Sequence, residues 1–248
     1  MDLKIKDVAD LLNVSETTIR RWLVDRKIPA YRINHQYRFS RIEIEDWVLK
    51  HKLGKTQEDG YSPFDKQDVR VKTEENGSKD GESAKGGSKQ YGLYRAIHKG
   101  NVLHNVPGAT KEEVIKNATA IIAKDLNLDA GVLTDLLLDR ENLQPTALNN
   151  GIGIPHTRDF VMNTHHDIVV VVFPQQPIEY GALDGQPVHT LFFLFACEDK
   201  RHLHLLAKIA HLSHQASTLE LLQSKPDKEA FLEYVKNWES SIQKVQTT

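Results

Sequence analysis

Ile168-Val169-Val170-Val171-Val172-Phe173 is an uninterrupted apolar run made almost entirely of β-branched side chains. Such a run is typical of a strand that is covered on both faces. The segment from Leu191 to Ala196, Leu-Phe-Phe-Leu-Phe-Ala, has the same character and predicts a second buried strand. The two runs therefore place a sheet inside the C-terminal part of the chain.

Helical patterns surround the two predicted strands. Thr110 and Glu113 form a capping box, and Asp129 is the expected N-cap of the helix that follows. The predicted helices cover about 110–127, 129–142, 200–215 and 227–238. The apolar face of the first of these helices includes Ile121. This alternation predicts an α/β or α+β domain with a sheet covered by helices.

The segment Gly151-Ile152-Gly153-Ile154-Pro155-His156-Thr157-Arg158 presents a histidine on stiff backbone. Glycines without a Cβ let another molecule or a phosphate approach, and Pro155 holds Ile154 extended. We therefore expect His156 to be displayed at the surface. A displayed imidazole can be a nucleophile, a general base, a metal ligand or a pH switch, or it can be a loop residue without a role.

The other histidines do not favour a metal site, although ten of the twelve lie in residues 91–248. The side chains of the adjacent His165 and His166 diverge, and His202 and His204 do not face each other because they are two residues apart on a predicted helix. His211 and His214 are three residues apart, but no third ligand accompanies them. The single cysteine, Cys197, excludes an internal disulfide and is predicted to be buried at a strand end. We expect no metal and no cofactor.

With a metal disfavoured, His156 is interpreted as a nucleophile or general base. A neutral imidazole that attacks a phosphoryl group needs cationic or N–H donors for the phosphoryl oxygens. A guanidinium suits this role because its planar fork bonds two oxygens at once. Arg140, at the end of a predicted helix, and Arg158 are the two candidates.

Residues 1–52 show a different, compact helical pattern. One helix covers Ile5 to Leu12, and Ser15 caps a second that runs to about Asp25. A small hairpin around residues 34–36 follows, and then a third helix after Ser40, with Ile42, Ile44, Trp47, Val48 and Leu49 as its apolar surface. Two short helices joined by a tight turn, with cations on the second, fit the major groove of DNA.

Charge and composition separate the segments. Residues 1–52 carry 11 lysines and arginines against 8 acidic residues, whereas residues 91–248 carry 14 against 18. Between them, residues 53–90 combine glycine, serine and balanced charge with few apolar groups, which predicts a flexible tether between two independent units. No apolar run is long enough for a membrane span, and no signal-peptide pattern is present, so we expect a cytoplasmic protein.

Three motifs cover nearly all of residues 1–52. They are Val8-Ala9-Asp10-Leu11-Leu12-Asn13-Val14-Ser15-Glu16-Thr17-Thr18-Ile19-Arg20-Arg21-Trp22, Ile28-Pro29-Ala30-Tyr31-Arg32-Ile33 and Tyr37-Arg38-Phe39. Together they resemble the winged helix-turn-helix of the excisionase and MerR group. The resemblance implies DNA contacts from Thr17, Thr18, Arg20 and Arg21, and from His35, Gln36 and Arg38 in the wing. One such module binds weakly, so a dimer is expected at an operator.

Three further motifs lie in the C-terminal part. They are Leu138-Asp139-Arg140-Glu141-Asn142-Leu143-Gln144-Pro145-Thr146-Ala147-Leu148, the Gly151–His156 segment, and Arg201-His202-Leu203-His204-Leu205-Leu206-Ala207-Lys208-Ile209-Ala210. They resemble the enzyme IIA domains of the fructose and mannitol type, a family that includes the nitrogen-regulatory IIA protein of the phosphoenolpyruvate-dependent phosphotransferase system. The likeness spans about residues 93–240. It implies that His156 accepts a phosphoryl group from HPr or a paralogue, with Arg140 and His202 in the same site.

The chain departs from this family at Thr157, where glycine often follows the histidine. A threonine hydroxyl can donate to a phosphoryl oxygen, and Arg158 adds charge beside it. The departure therefore implies an altered surrounding for the phosphoryl group and a different donor preference or transfer equilibrium.

The leading hypothesis is a regulator in which a phosphorylatable IIA-type domain (91–248) is tethered by a linker (53–90) to a winged helix-turn-helix domain (1–52). It is a histidine phosphocarrier and not a conventional turnover enzyme. The expected partners are an HPr-like donor, DNA, a IIB domain or regulatory target, and a second copy of the chain, with no membrane. One alternative is a sugar-transport IIA component whose N-terminal module is a protein adaptor. Another is a DNA-binding regulator whose IIA domain only senses a partner.

Overall fold

The computed structural model describes residues 2–12, 14–33, 36–51, 91–157 and 166–244. The N-terminal domain contains β1 (Asp2–Leu3), α1 (Ile5–Leu12), α2 (Glu16–Val24), β2 (Tyr31–Ile33), β3 (Gln36–Ser40) and α3 (Arg41–His51). The C-terminal domain contains α4 (Gly92–Lys99), β4 (Val102–Val106), α5 (Lys111–Leu126), α6 (Ala130–Leu143), β5 (Ile152–Gly153), β6 (Ile168–Pro174), β7 (Thr190–Phe195), α7 (Asp199–Leu212), α8 (Ala216–Gln223) and α9 (Lys228–Lys244). The predicted linker at 53–90 lies outside the described residues, so the domain boundaries stay a prediction.

The N-terminal domain is a helix-turn-helix with a hairpin wing. The Ser15 hydroxyl caps α2 by accepting a hydrogen bond from the Thr18 N–H at 3.1 Å, as the sequence predicts. β3 pairs antiparallel with both β1 and β2. Trp22 and Trp47 pack in the core with ring centroids 5.4 Å apart. The assignment of Ile42 to the apolar face of α3 is wrong, because Ile42 is 44 % exposed and lies on the side of the helix opposite Ile44.

The C-terminal domain is built on a mixed four-stranded sheet in the order β4-β6-β7-β5. β6 is parallel to β4 and antiparallel to β7, and β7 is parallel to β5. Every residue of β6 and β7 is buried, which confirms the two predicted strands. Successive residues of β6 point to opposite faces, so that Val169 and Val171 join one apolar core while Val170 and Val172 join the other.

Helices cover both faces, and their caps follow the prediction. Glu113 N–H donates to the Thr110 hydroxyl, and Val132 N–H donates to the Asp129 carboxylate. The placement of Ile121 on the apolar face of α5 is wrong, since Ile121 lies at the solvent edge and is 42 % exposed. α4, β4 and α8 were not predicted, and the helix expected to reach residue 215 ends at Leu212. None of the helices within the described ranges has the length and apolar character that a membrane span requires.

The segment from Gly151 to His156 runs alongside β7. The Leu194 N–H donates to the Pro155 carbonyl at 2.9 Å, and His156 forms a bridge with Leu194. Gly151 has φ +72°, and a Cβ there would lie 2.5 Å from the His189 ring. The expectation that the glycines leave room for another molecule is therefore wrong at this position, because their bare side is filled by the chain itself.

The two domains are in contact. α1 and α3 of the N-terminal domain pack against α7 of the C-terminal domain. One hydrophobic cluster continues across the boundary, with Val8 and Val48 on one side and Leu203 on the other. The Asp7 carboxylate lies 3.3 Å from Lys200 Nζ at the edge of this interface. The prediction of two independent units is therefore wrong for this state of the molecule.

Candidate functional site

His156 lies beneath α3 of the N-terminal domain, with no exposed surface. The expected display of this histidine is thus wrong, and the reason is that the other domain covers it. The ring is held by its Nδ1 atom, which donates to the Ile154 carbonyl at 2.7 Å. A carbonyl oxygen only accepts, so Nδ1 carries a proton and Nε2 is the atom presented to the rest of the site.

Glu45 and Arg140 meet at the Nε2 atom of His156. The Glu45 Oε1 atom lies 2.6 Å from His156 Nε2. Arg140 donates to the same Oε1 from Nε at 3.2 Å and from Nη2 at 3.0 Å. Arg140 and Glu45 are each 2 % exposed, so the three groups form a dry cluster at the domain boundary.

The number of protons or lone pairs that each atom can offer determines the hydrogen-bond directions in this cluster. Nε2 of His156 is also 3.1 Å from Arg140 Nε, yet it can offer only one proton or one lone pair. An ionised carboxylate cannot donate, so a 2.6 Å contact with Glu45 requires a proton on Nε2. His156 therefore donates from both nitrogens, and the Arg140 Nε–H serves Glu45.

The charges of the cluster determine the state of Glu45. Burial alone raises the pKa of its carboxyl group, but the charge and the hydrogen bond of His156 outweigh burial and hold the pKa of Glu45 well below its usual range. The carboxylate is therefore ionised at neutral pH and forms a buried ion pair.

Arg140 is fixed by its position at the last turn of α6. Nη1 donates to the Gln144 carbonyl at 3.0 Å, and Nη2 also donates to the Asp46 carboxylate at 3.3 Å. Its neighbour Glu141 accepts from the backbone N–H and the hydroxyl of Thr146 and so shapes the loop after the helix. The guanidinium thus enters the site in one orientation.

His202 lies in the first turn of α7 beside His156, with ring centroids 5.2 Å apart. Its Nε2 atom is 3.6 Å from Glu45 Oε2, beyond hydrogen-bond distance. Burial lowers the pKa of His202 to about 4, because the opposing effect of Glu45 is smaller. The structure therefore brings His202 to His156 as a neutral ring.

His202 should make stability depend on pH. The unfolded chain binds a proton at His202 below its usual pKa of 6.5, whereas the folded chain does so only below about 4, with Glu45, His156 and Arg41 facing the ring. The contribution is complete above pH 6.5 and falls by about 1.4 kcal/mol per pH unit as the pH decreases toward 4. Urea unfolding of the wild type and His202→Asn between pH 7.5 and 4.5 measures it. The variant should lose this slope, and parallel curves would contradict the assignment.

Three potential metal ligands also meet here. One ligand atom each from Glu45, His156 and His202 lies within 4.8 Å of the others. A cation among them would compete with the Arg140 guanidinium, which donates twice to Glu45 Oε1. The donor set thus suits an ion pair with arginine better than a metal ion.

The remaining predicted residues of the C-terminal domain contribute less. Thr157 directly follows His156 and is 5 % exposed, and Arg158 lies outside the described residues.

The burial predicted for Cys197 is wrong. Its side chain is half-buried because β7 ends two residues earlier, and its N–H and thiol both donate to the Asp167 carboxylate.

The predicted DNA face lies away from the domain boundary. α2 packs against α1, whereas α1 and α3 contact the C-terminal domain. Thr17, Arg20 and Gln36 are exposed, and Thr18, Arg21 and Arg38 are half-buried. Thr18 also has a structural role, because its hydroxyl group shares a 2.9 Å hydrogen bond with the hydroxyl group of the capping Ser15. His35 lies outside the described residues.

Sequence reasoning missed Glu45 and Asp46, which bring the N-terminal domain to Arg140. A signal was present, because Glu45 is three residues before Val48 and four before Leu49, on a helix face that is otherwise apolar. An acidic residue on such a face calls for a cationic partner from elsewhere in the protein.

Comparisons with known proteins agree with both domains. The family described as "Phosphoenolpyruvate-dependent sugar phosphotransferase system, EIIA 2" matches residues 95–238, and a helix-turn-helix domain family matches residues 3–52. A nitrogen regulatory protein of Pseudomonas aeruginosa is 35 % identical over 146 residues, which cover 58 % of this chain and 94 % of that protein. One from Escherichia coli K12 is 32 % identical over 125 residues, or 49 % of this chain and 76 % of that protein.

The fold has a counterpart among solved structures. A crystal structure of a putative PTS IIA domain from Streptococcus pyogenes aligns with a TM-score of 0.50 and 18 % identity, over 58 % of this chain and 95 % of that one. At this identity the likeness concerns the fold alone, and it agrees with the predicted mixed sheet covered by helices.

Proposed function

The chain belongs to the phosphoenolpyruvate-dependent sugar phosphotransferase system EIIA 2 family and carries a helix-turn-helix domain, and on that basis we propose that it is a phosphorylatable regulator of the nitrogen-regulatory type. In this proposal His156 accepts a phosphoryl group from an HPr-like phosphocarrier. The observation that carries it is the geometry of one ring: Nδ1 donates to the Ile154 carbonyl, and Nε2 faces the Arg140 guanidinium.

This geometry gives each residue a part in the transfer. When the N-terminal domain is displaced, the Nε2 proton of His156 passes to solvent, and the ring keeps its Nδ1 proton and attacks through the Nε2 lone pair. A new N–P bond forms at Nε2 while the N–P bond of the donor phosphohistidine breaks, and the donor nitrogen takes that electron pair. Arg140 stabilises the phosphoryl oxygens with its fork, and the neutral His202 offers one N–H beside them.

The N-terminal domain provides the output in this proposal. Arg20 and Gln36 are exposed on α2 and the wing, where a duplex can reach them. Thr17, Thr18, Arg21 and Arg38 complete the contact face, together with His35. The phosphoryl group then serves as an input to DNA binding, or passes on to a IIB domain or a regulatory target.

Phosphoryl transfer to His156 is tested with phosphoenolpyruvate, enzyme I and an HPr-like protein. The wild type should acquire acid-labile phosphate, and His156→Ala should acquire none because the attacking nitrogen is gone. His98→Ala is the matched control, since His98 is an exposed histidine of the same domain. Equal labelling of the wild type and His156→Ala would overturn the assignment.

A further inference from the structure

The N-terminal domain covers the phosphoryl-acceptor site of its own chain, and we infer that docking of this domain and phosphorylation of His156 exclude each other. In the docked state the Glu45 carboxylate occupies the place of the phosphoryl group. This inference rests on the proposed function of His156. The occupant of the site is α3, a segment of the same chain.

The docked Glu45 side chain sterically excludes a phosphoryl group from His156. A phosphoryl group bonded to His156 Nε2 would lie where Glu45 Oε1 now lies, 2.6 Å from that nitrogen. A donor protein must also bring its own phosphohistidine to Nε2, yet the docked α3 leaves His156 with no exposed surface. Neither the product nor the encounter complex can form until α3 moves away.

Docking also occupies the lone pair of His156 Nε2. In the docked state Nε2 carries the proton that it donates to Glu45, so the electron pair needed for the N–P bond is already in use. Docking therefore blocks the attack chemically as well as sterically.

Glu45 also uses the Arg140 donors that would bind a phosphoryl group. The Arg140 Nε and Nη2 atoms donate to one carboxylate oxygen, as the same fork would donate to phosphoryl oxygens. Asp46 adds a second carboxylate on Nη2. After phosphorylation, these two acidic side chains would face a phosphoryl dianion in a dry site, so the same groups that hold the domain would then repel it.

Outside the cluster, the interface consists of an apolar contact and an exposed ion pair at its edge. Asp7 and Lys200 lie at its edge, and the side chain of Lys200 is 61 % exposed, so this ion pair adds little. Residues 53–90 connect the two domains within one chain. A released domain would therefore stay near its site, at an effective concentration on the order of millimolar.

Release and phosphorylation are linked in both directions. If docking lowers the affinity of His156 for a phosphoryl group, phosphorylation lowers the affinity of docking by the same factor. The main contacts with α7 come from α1 and α3 and not from α2, so docking alone need not block the proposed DNA contact of α2. What changes on phosphorylation is whether this domain is held on α7 or tethered at a distance from it.

The test uses the full chain and two readouts. Phosphorylation rates from an HPr-like donor are measured for the wild type, Glu45→Ala and the isosteric Glu45→Gln. Glu43→Ala is the matched control, because Glu43 is an exposed acidic residue of the same helix. Hydrogen exchange of α3 and α7 reports docking, and exchange of β6 reports whether the C-terminal domain is folded.

We expect Glu45→Ala to be phosphorylated at least tenfold faster than the wild type, with Glu45→Gln in the same direction and Glu43→Ala within twofold of the wild type. Exchange in α3 and α7 should increase in Glu45→Ala without phosphate, and in the wild type only after phosphorylation. Equal rates for the wild type and both Glu45 variants, with β6 protected, would overturn the inference and leave the proposed function standing. No labelling of any variant would overturn both.

Discussion

In a chain whose N-terminal domain is already released by Glu45→Ala, replacement of Arg140 by alanine is expected to slow phosphoryl transfer to His156 by about 10²–10³-fold, because the site loses the donor fork for the phosphoryl oxygens. In the wild-type background the same change should also release the N-terminal domain. Glu45 would remain buried after losing both of its hydrogen bonds from the guanidinium, at a cost of about 3–5 kcal/mol to docking. Labelling rates and hydrogen exchange of α3 measure the two effects separately.

Two further variants separate these effects. Arg140→Lys keeps a charge but not the planar fork, so it should fall between the wild type and Arg140→Ala in both readouts. In Glu45→Ala the domain is already released, so adding Arg140→Ala there should reduce only the transfer rate. Equal labelling rates for Glu45→Ala and the double variant Glu45→Ala/Arg140→Ala would remove Arg140 from the transfer site.

The double replacement of Arg20 and Arg21 by alanine should weaken binding to mixed-sequence duplex DNA by about 10–100-fold at 0.1 M salt. Both residues are on α2, with Arg20 exposed and Arg21 half-buried. If each arginine neutralises one phosphate, the slope of log K against log salt should decrease by about 2. A salt titration by fluorescence anisotropy measures both quantities.

The matched control for this experiment removes two positive charges elsewhere. Lys116 and Lys124 lie on the exposed side of α5 in the C-terminal domain, and their double replacement by alanine should leave the slope within the error of the wild type. An unchanged slope for the arginine variant would favour the alternative in which the N-terminal domain is a protein adaptor.

The elements of this fold that depend on local pattern were accessible from the sequence. β6 and β7 follow from their continuous apolar runs, and α5 and α6 follow from side-chain caps at Thr110 and Asp129. α4 and β4 were missed, because α4 is two turns long and the β4 pattern is only partly buried. β4 is stabilised by its pairing with β6, and α4 packs against β6 through Leu93, Ala96 and Ile97, whose helical spacing extends over two turns only.

The candidate site was predictable within one domain but not across two. His156, Arg140 and His202 were named from motifs, and the structure brings their side chains together. Glu45 comes from a part of the chain 111 residues away, and its position depends on how two separate cores pack. No local rule contains that information, which is why the buried state of His156 was also missed.

The contact between Glu45 and His156 has a consequence for how sensitive such a protein would be. The competitor for the acceptor nitrogen is carried by the same chain, so its local concentration does not change with the amount of protein in the cell. The concentration of phosphorylated donor at which half of the molecules are phosphorylated would then be set by the sequence of the protein. Single substitutions in α3 would change this concentration. Docking would raise the donor concentration needed for a half-maximal response by the reciprocal of the undocked fraction, while the shape of the response would stay hyperbolic.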